Sequence, residues 1–174
     1  GGITGREIAA ALPGLGAPAA LPAEQARGAE DHIQQVLARR GSENMYELRR
    51  QLRETMDSCV GVFRNGDDLA KALKLIQELR VRAQQAPVAD QSRIYNSNLI
   101  HALELENLVD LAEVTVAGAL KRQESRGAHA RRDFAVRDDA NWLKHTLIWN
   151  KNGKLEIGYK PVVITKHQPK ARVY

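Results

Sequence analysis

The chain has 174 residues, of which 43% are hydrophobic and 27% charged, and its formal net charge is +5. These values are typical of a globular protein with a core of its own. The sequence has no apolar run of about 20 residues, the length that crosses a bilayer, so it excludes a direct membrane span. Its one cysteine, Cys59, excludes an internal disulfide and fits a reducing compartment. Gly1 without an initiator Met indicates a cut or processed end.

The net charge is unevenly distributed along the chain. Residues 126–174 contain 11 Lys and Arg against 4 Asp and Glu, whereas the remainder contains 15 against 17. A basic tail of this kind is compatible with an acidic protein partner, anionic lipid, nucleic acid or a solvated surface. Charge alone leaves these four alternatives open.

The first part of the chain predicts two short helices. Residues 1–12 have helical composition and are stopped by the Pro- and Gly-rich stretch 13–18. Residues 23–40 regain helical composition, and Gly41 follows as a plausible C-terminal cap. We therefore assign residues 1–41 to an N-terminal linker with helices.

Two amphipathic helices are predicted next. Ser42 is expected to cap the first, and Asp67 and Asp68 place negative charge at the start of the second, after a break at residues 65–66. Apolar residues three or four apart define the sides expected to be buried. They are Met45, Leu48, Leu52, Met56, Cys59, Val60 and Phe63 in the first helix, and Leu69, Leu73, Ile76 and Leu79 in the second.

A third and longest helix is predicted from Gln91 to about Gln123. Its apolar stripe consists of Leu105, Leu108, Val109, Ala112, Val116, Ala119 and Leu120, widened by Leu99, Leu103 and Leu111. Three long helices with short connections favour a mainly α fold. We expect an antiparallel three-helix bundle, similar to a spectrin repeat, over residues 42–125.

The remaining residues, 126–174, predict a small basic domain that is irregular or built on a β-hairpin. Residues 147–149 and 155–159 are strand-like and flank a turn with Gly153, where a positive φ is needed. Residues 161–165 suggest a further extended piece. Because a lone hairpin is marginally stable in water, we expect this tail to dock on another surface.

The sequence predicts no catalytic, cofactor-binding or metal-binding residue. No two of the five histidines have ligand spacing on one predicted helix, and Cys59 lies in an apolar stripe. Gly14 and Gly16 follow a helix and lack the third glycine of a dinucleotide-binding loop. Trp142 and Trp149 lie among basic residues and could stack on bases, but interspersed acidic residues argue against a nucleic-acid module.

Residues 126–142 alternate arginines with aspartates at high density. Arginine forks and carboxylates so arranged favour a paired, partly buried ionic network over a phosphate-binding strip. We expect Gly127 to supply a left-handed cap after the long helix and His129 to donate a hydrogen bond that fixes the turn. The predicted docking residues are Arg126, Gly127, His129, Arg131, Arg132, Asp133, Arg137, Asp138, Asp139 and Trp142, with Arg126, Arg131 and Asp133 foremost.

Residues 124–142 resemble the signature SRGAHxRxDFPxRDDxxW, found near the C-terminus of the flavoprotein subunit of succinate dehydrogenase and fumarate reductase. Residues 61–66 (GVFRNG) are similar to the GVFRxG of this family, and residues 103–108 (LELENL) to its LELxNL helix. The last ten residues resemble its terminal TRxQPxxRxY. The chain departs from the signature at Ala135, where the family usually has proline, and its first five residues match the family's FGRxAG only in two glycines.

The resemblance implies a helical bundle and a small C-terminal domain, both packed on a flavin-binding domain and associated with an iron–sulfur subunit. The full subunit would oxidise succinate to fumarate with covalently attached FAD. The family's flavin-linking and substrate-binding residues precede the matching region, so we expect this chain alone to be inactive and to bind no FAD. The expected location is peripheral, on the inner face of the cytoplasmic membrane or the matrix side of a mitochondrion.

Within the family, the motifs favour the succinate dehydrogenase type, with fumarate reductase and L-aspartate oxidase as alternatives. Outside it, the alternative is a stand-alone basic helical module that binds nucleic acid. Binding to nucleic acid that weakens steeply with salt would distinguish that module.

Overall fold

The computed structural model describes residues 1–20, 22–151 and 153–170. The expectations for Asn152 in the hairpin turn, and for the last four residues of the terminal motif, lie outside the described residues. The chain divides into two compact units, the first being Gly1–Gln35 and the second beginning at Val36. The predicted division at residues 41 and 125 stays a prediction.

The first unit contains helix α1 (Gly2–Ala11), a 3₁₀ turn (Leu12–Gly14) and most of helix α2 (Ala23–Leu37). Both helices were predicted, although α2 ends earlier than expected. Gly41 is therefore not its cap. A β-carbon at Gly41 would lie 2.2 Å from the backbone oxygen of Gln85, so this glycine permits a close approach of two backbone segments.

Three long helices dominate the second unit: α3 (Met45–Cys59), α4 (Gly66–Ala83) and α5 (Ser97–Lys121). They contact one another pairwise. The fold is mostly helical, as predicted, while the antiparallel arrangement of a three-helix bundle stays a prediction.

Each of these helices begins after an asparagine whose side chain accepts hydrogen bonds from the first turn. Asn44 caps α3, Asn65 caps α4 and Asn96 caps α5. The expectation that Ser42 caps α3 is wrong. The expected start of α5 at Gln91 is also wrong, because the Asn96 amide donates to the backbone oxygens of residues 90 and 92 and holds them in a turn.

The core lies between these helices and the end of α2. Its buried apolar side chains include Val36, Leu48, Leu52, Leu69, Ile76, Leu79, Leu105, Val109 and Val116. Three residues expected to be buried are exposed: Phe63 by 68%, Leu108 by 37% and Leu111 by 64%. Phe63 follows the end of α3, so helical spacing no longer applies to it. Leu108 and Leu111 lie beside the strip of α5 that is covered.

The predicted hairpin is present and longer than expected. Strand β3 (Lys144–Lys151) pairs antiparallel with β4 (Lys154–Pro161), with Ile148 opposite Ile157. Gly153 has φ +82°, as the turn requires. Strand β3 contacts α5 where a β-carbon at Gly118 would lie 3.3 Å from Ile148 Cδ1. Residues 162–165 form no further strand.

A second, very short sheet joins distant parts of the sequence. Strand β1 (Phe63–Arg64) runs parallel to β2 (Ala130–Arg131).

Among the described residues, no helix has the length and apolar character needed to cross a membrane.

Candidate docking site

The parallel pair brings residues 61–66 against the charged segment. The backbone N–H of Ala130 donates to Val62 O at 3.1 Å, and that of Arg132 donates to Arg64 O at 2.7 Å. Two stretches that resemble family motifs, far apart in the chain, therefore form one site.

Gly127 lies in a tight turn within this site. Arg126 and His129 exchange two backbone hydrogen bonds, of 2.8 and 3.0 Å, across Gly127 and Ala128. Gly127 has φ +59° and Ala128 does not have a positive φ, the combination of a type II′ turn. The expected left-handed conformation is confirmed. The expected role as helix cap is wrong, because α5 ends at Lys121 and Arg122 follows in an extended conformation.

Arg131 is the most buried arginine of the segment, with 2% exposure. Its Nη1 donates to the backbone oxygens of Ala119, Leu120 and Arg122, at 3.0, 3.0 and 3.2 Å. Its Nε and Nη2 donate to the Asp133 carboxylate at 2.8 and 2.7 Å. A fixed positive charge thus occupies the C-terminal end of α5, where the helix dipole favours it.

Asp133 connects this end of α5 to the start of α4. Its Oδ2 accepts a hydrogen bond of 2.9 Å from the backbone N–H of Gly66. The Arg131 guanidinium holds the pKa of the Asp133 carboxyl well below its ordinary value. Arg131 and Asp133 together therefore neutralise two helix ends and hold them near each other.

A buried carboxylate that the sequence analysis did not single out lies at the centre of the network. Glu124 is fully buried, and its Oε1 accepts from Arg122 Nε at 3.0 Å and from Arg126 Nε at 2.8 Å. Its Oε2 accepts from the backbone N–H of Asp138 at 2.9 Å. Burial raises the Glu124 pKa, but the bonds from Arg126, the Asp138 backbone and Arg122 outweigh it and lower the pKa. The signal in the sequence was a glutamate between two arginines.

Arg122, also not singled out, joins the end of α5 to the hairpin. Its guanidinium donates to the backbone oxygens of Trp142 at 2.5 Å and Lys144 at 3.0 Å. It also lies 5.4 Å from the centroid of the Trp142 ring, which packs edge-on against Tyr159. The predicted docking residue Trp142 therefore helps to hold the tail on its own chain.

Further ion pairs extend toward the surface. Arg137 Nε lies 3.0 Å from Asp139 Oδ1, which also accepts from Arg126 Nη2 at 2.6 Å. Arg137 and Arg126 lower the Asp139 pKa to about 2. Asp138 caps the short helix α6 (Asp139–Trp142) by accepting from the Asn141 N–H.

Arg132 is the predicted site residue that turns away from these pairs. It is exposed, and its guanidinium lies 5.7 Å from the centroid of the exposed Phe63 ring. This arginine and this ring form an outward-facing part of the site.

His129 is held in one tautomer by its two partners. Its Nδ1 lies 2.9 Å from Arg64 Nη1, and its Nε2 lies 3.1 Å from the backbone oxygen of Arg122. Because arginine can only donate, Nδ1 accepts and Nε2–H donates. Burial lowers the His129 pKa, and the charges of Arg64, Arg131 and Arg122 lower it further. His129 thus donates a hydrogen bond, as expected, but to the end of α5 rather than within the turn, and so links β1 to α5.

The chemistry of this arrangement is that of a structural cross-link. Within the described ranges, no group of three or more His, Cys, Asp or Glu side chains could hold a metal ion. A dinucleotide requires a parallel sheet with a glycine-rich turn into a helix, whereas the described part of the chain has only the two-residue β1–β2 pair and a hairpin. The described residues therefore do not fit FAD.

Residues 49–174 match the family described as fumarate reductase flavoprotein C-term. The chain belongs to this family. It is 38% identical over 151 residues to the fumarate reductase flavoprotein subunit of Haemophilus influenzae, covering 86% of this chain and 25% of that protein. It is 46% identical over 120 residues to the succinate dehydrogenase flavoprotein subunit of Rickettsia felis, covering 68% of this chain and 20% of that protein.

Solved structures of flavoprotein subunits are also similar to this chain. The chain superposes on FrdA of Escherichia coli quinol fumarate reductase with a TM-score of 0.85 and 32% identity, over 91% of this chain and 28% of that one. Against Sdh1 of Mycobacterium smegmatis in complex with UQ1 the TM-score is 0.66 and the identity 26%, over 78% of this chain and 24% of that one.

The chain therefore spans about a quarter of the length of the relatives it matches. The family was predicted correctly. Relatives carry both names, so the preference for the succinate dehydrogenase type is not resolved.

Proposed function

We propose that this chain is the C-terminal helical and docking region of a succinate dehydrogenase or fumarate reductase flavoprotein subunit. The observation that carries the proposal is the family match over residues 49–174, in which the charged signature folds into one partly buried ion-pair network. The remainder of the subunit would hold FAD and interconvert succinate and fumarate. An iron–sulfur subunit would exchange the electrons, and the complex would lie peripherally on the inner membrane face or matrix side.

In this proposal the chain contributes shape rather than chemistry. Glu124, Arg131 and Asp133 have their hydrogen-bonding partners within the chain, so their task is to fix the geometry of the segment. Residues at the outer side of the same segment are available for a partner surface. They are Arg132, Phe134 and Val136, the last 78% exposed, together with Phe63.

The nucleic-acid alternative loses support from the same geometry. Arg126, Arg131 and Arg137 each contact a carboxylate at hydrogen-bonding distance. Paired arginines have little charge left for phosphates. A titration of the chain with DNA at low and moderate salt should give no binding that weakens steeply with salt.

Arg131→Ala in the full-length subunit tests the role of the network. We expect less assembled complex and less retained flavin, but nearly unchanged turnover per assembled flavin, because the segment holds structure and does not touch substrate. Arg53→Ala, an exposed arginine on α3, serves as a matched control and should leave assembly unchanged. A large loss of turnover with normal flavin content and assembly would refute the docking assignment.

Gly127→Val tests the turn. A β-branched residue resists the φ of +59° at this position, so assembly should be impaired. Ala128→Val, in the same turn but without a positive φ, should assemble better. Equal assembly of the two variants would contradict the argument.

A further inference from the structure

Arg64 differs from the other half-buried or buried arginines of the site in having no carboxylate partner. The buried or half-buried arginines of the network, Arg122, Arg126, Arg131 and Arg137, each pair with an Asp or Glu. No carboxylate within the described ranges lies at ion-pair distance from Arg64, which is itself half-buried. Among these less exposed arginines, Arg64 is therefore the one described without a counter-charge.

The contacts of Arg64 leave one edge of its fork free. Nε donates to the backbone oxygens of Val60 at 3.1 Å and Gly61 at 2.6 Å, and Nη1 donates to His129 Nδ1 at 2.9 Å. Nη2 has no hydrogen bond within the part of the chain that the structure describes. Every buried side-chain nitrogen or oxygen in the described ranges has a hydrogen-bond partner. Because Nη2 of Arg64 has none, it is not buried and is accessible.

Arg64 lines a cavity of about 350 Å³ between β1, α5 and β3. Polar groups in the wall include His129, Arg122, Thr115 and Thr146, and Ile148 is among its apolar residues. The Thr146 hydroxyl accepts from Arg122 at 3.3 Å, so its own proton can be donated into the cavity. The wall thus presents donors and one uncompensated cation.

We propose that this cavity is a carboxylate-binding site in which Arg64 supplies the charge and Thr146 a hydrogen-bond donor, with the His129 ring beside them in the wall. A carboxylate matches the planar fork of a guanidinium and carries the single negative charge that is lacking. The chemistry is the same for a small free carboxylate and for an Asp or Glu side chain of a longer protein.

The His129 imidazole reports occupancy of this site. The charged groups facing it are Arg64 on β1, Arg122 at the end of α5 and Arg131 on β2, all cationic. A bound carboxylate adds a negative charge beside them, so it raises the pKa of His129. Chloride at equal ionic strength lacks the bidentate geometry and should raise it less.

The experiment is an NMR titration of His129 in the full chain with acetate and with succinate, against chloride at matched ionic strength. We expect a saturable shift of the His129 signals, on the order of millimolar affinity for one ion pair. Arg64→Gln should weaken the affinity roughly ten-fold or more, because it removes a charge-assisted hydrogen bond. Arg64→Lys should retain part of it, and Arg53→Gln should bind as the unaltered chain does. The comparison of carboxylate with chloride in the unaltered chain keeps the test valid if a variant fails to fold.

Repeating the titration on the full-length subunit decides the source of the carboxylate. This second titration rests on the proposed function. A shift in the chain that is lost in the subunit assigns the site to a side chain of the longer protein. The same shift in both assigns it to a free anion. Equal effects of chloride and carboxylates on the chain, or unchanged binding in Arg64→Gln, would overturn the site and leave the proposed function untouched.

Discussion

Replacing Glu124 by glutamine removes one buried charge from the network while keeping the shape of the side chain. Removing one partner of a buried ion pair costs about 3–5 kcal/mol, because the other partner is left uncompensated. The side chains of Arg122 and Arg126 retain 15% and 26% exposure, and Arg126 keeps Asp139. Water and Asp139 therefore offset part of the loss, and we expect a loss of about 3 kcal/mol in the free energy of unfolding.

Urea unfolding followed by circular dichroism at neutral pH measures this difference. Glu47→Gln is the matched control, since Glu47 lies on the surface of α3 and pairs with Arg50 there. Its stability should stay close to that of the unaltered chain, because surface ion pairs contribute little. A loss below about 1 kcal/mol in Glu124→Gln, the net value of one ordinary hydrogen bond, would refute the assignment of Glu124 as the centre of the network.

The difference in free energy of unfolding between Glu124→Gln and the unaltered chain should depend on pH. The folded-state pKa of Glu124 is lowered from its ordinary value of 4.5, so its ionisation stabilises the fold above that pH. This contribution is lost as the pH falls through the folded-state pKa, where the unaltered side chain becomes neutral like glutamine. The stability difference between the two proteins should therefore shrink below pH 4.5. A difference that stays constant into acid would contradict this reasoning.

Leu52→Ala should destabilise the fold by about 2–5 kcal/mol in urea unfolding because Leu52 is 4% exposed, whereas Leu111→Ala, at 64% exposure, should have little effect. Equal effects would mean that the buried side of α3 or of α5 is wrongly placed. Gly41→Ala should cost about 1–3 kcal/mol in the same assay, because the new β-carbon would meet the Gln85 backbone oxygen at 2.2 Å. The control Gly28→Ala, in open space on a helix, should instead increase helicity, and an unperturbed Gly41→Ala would rule out the close contact.

The main helices were predictable because apolar residues spaced three or four positions apart indicate a helix whatever surface it packs against. Leu48, Leu69, Ile76 and Leu105 were all placed correctly on buried sides. The exposed Leu108 shows the limit of that signal. Periodicity gives the direction of an apolar stripe, but the neighbouring helices decide how much of its width is covered.

Helix starts were less predictable because several polar residues compete for the same role. Ser42 and Asn44 are both good caps, and the side chain of Asn44 is the one that accepts from Tyr46 and Glu47. Before α5, the backbone turns through Tyr95 at φ +55°, which composition alone does not reveal. Local propensity thus located α3 and α4 to within a few residues, but it placed the start of α5 at Gln91 instead of Ser97 and did not indicate α6.

By itself the sequence determined helices α1 to α5, the hairpin, the family and the density of charge in residues 126–142. Only the tertiary structure decided which charges pair and where. Arg131 lies beside Asp133 in sequence, but its other partners are backbone oxygens at the end of α5, and Asp133 reaches the start of α4. Such contacts depend on how helix ends meet in space, and no sequence period encodes that. For the same reason, burial of Glu124 and the unpaired charge of Arg64 became visible only in the folded chain.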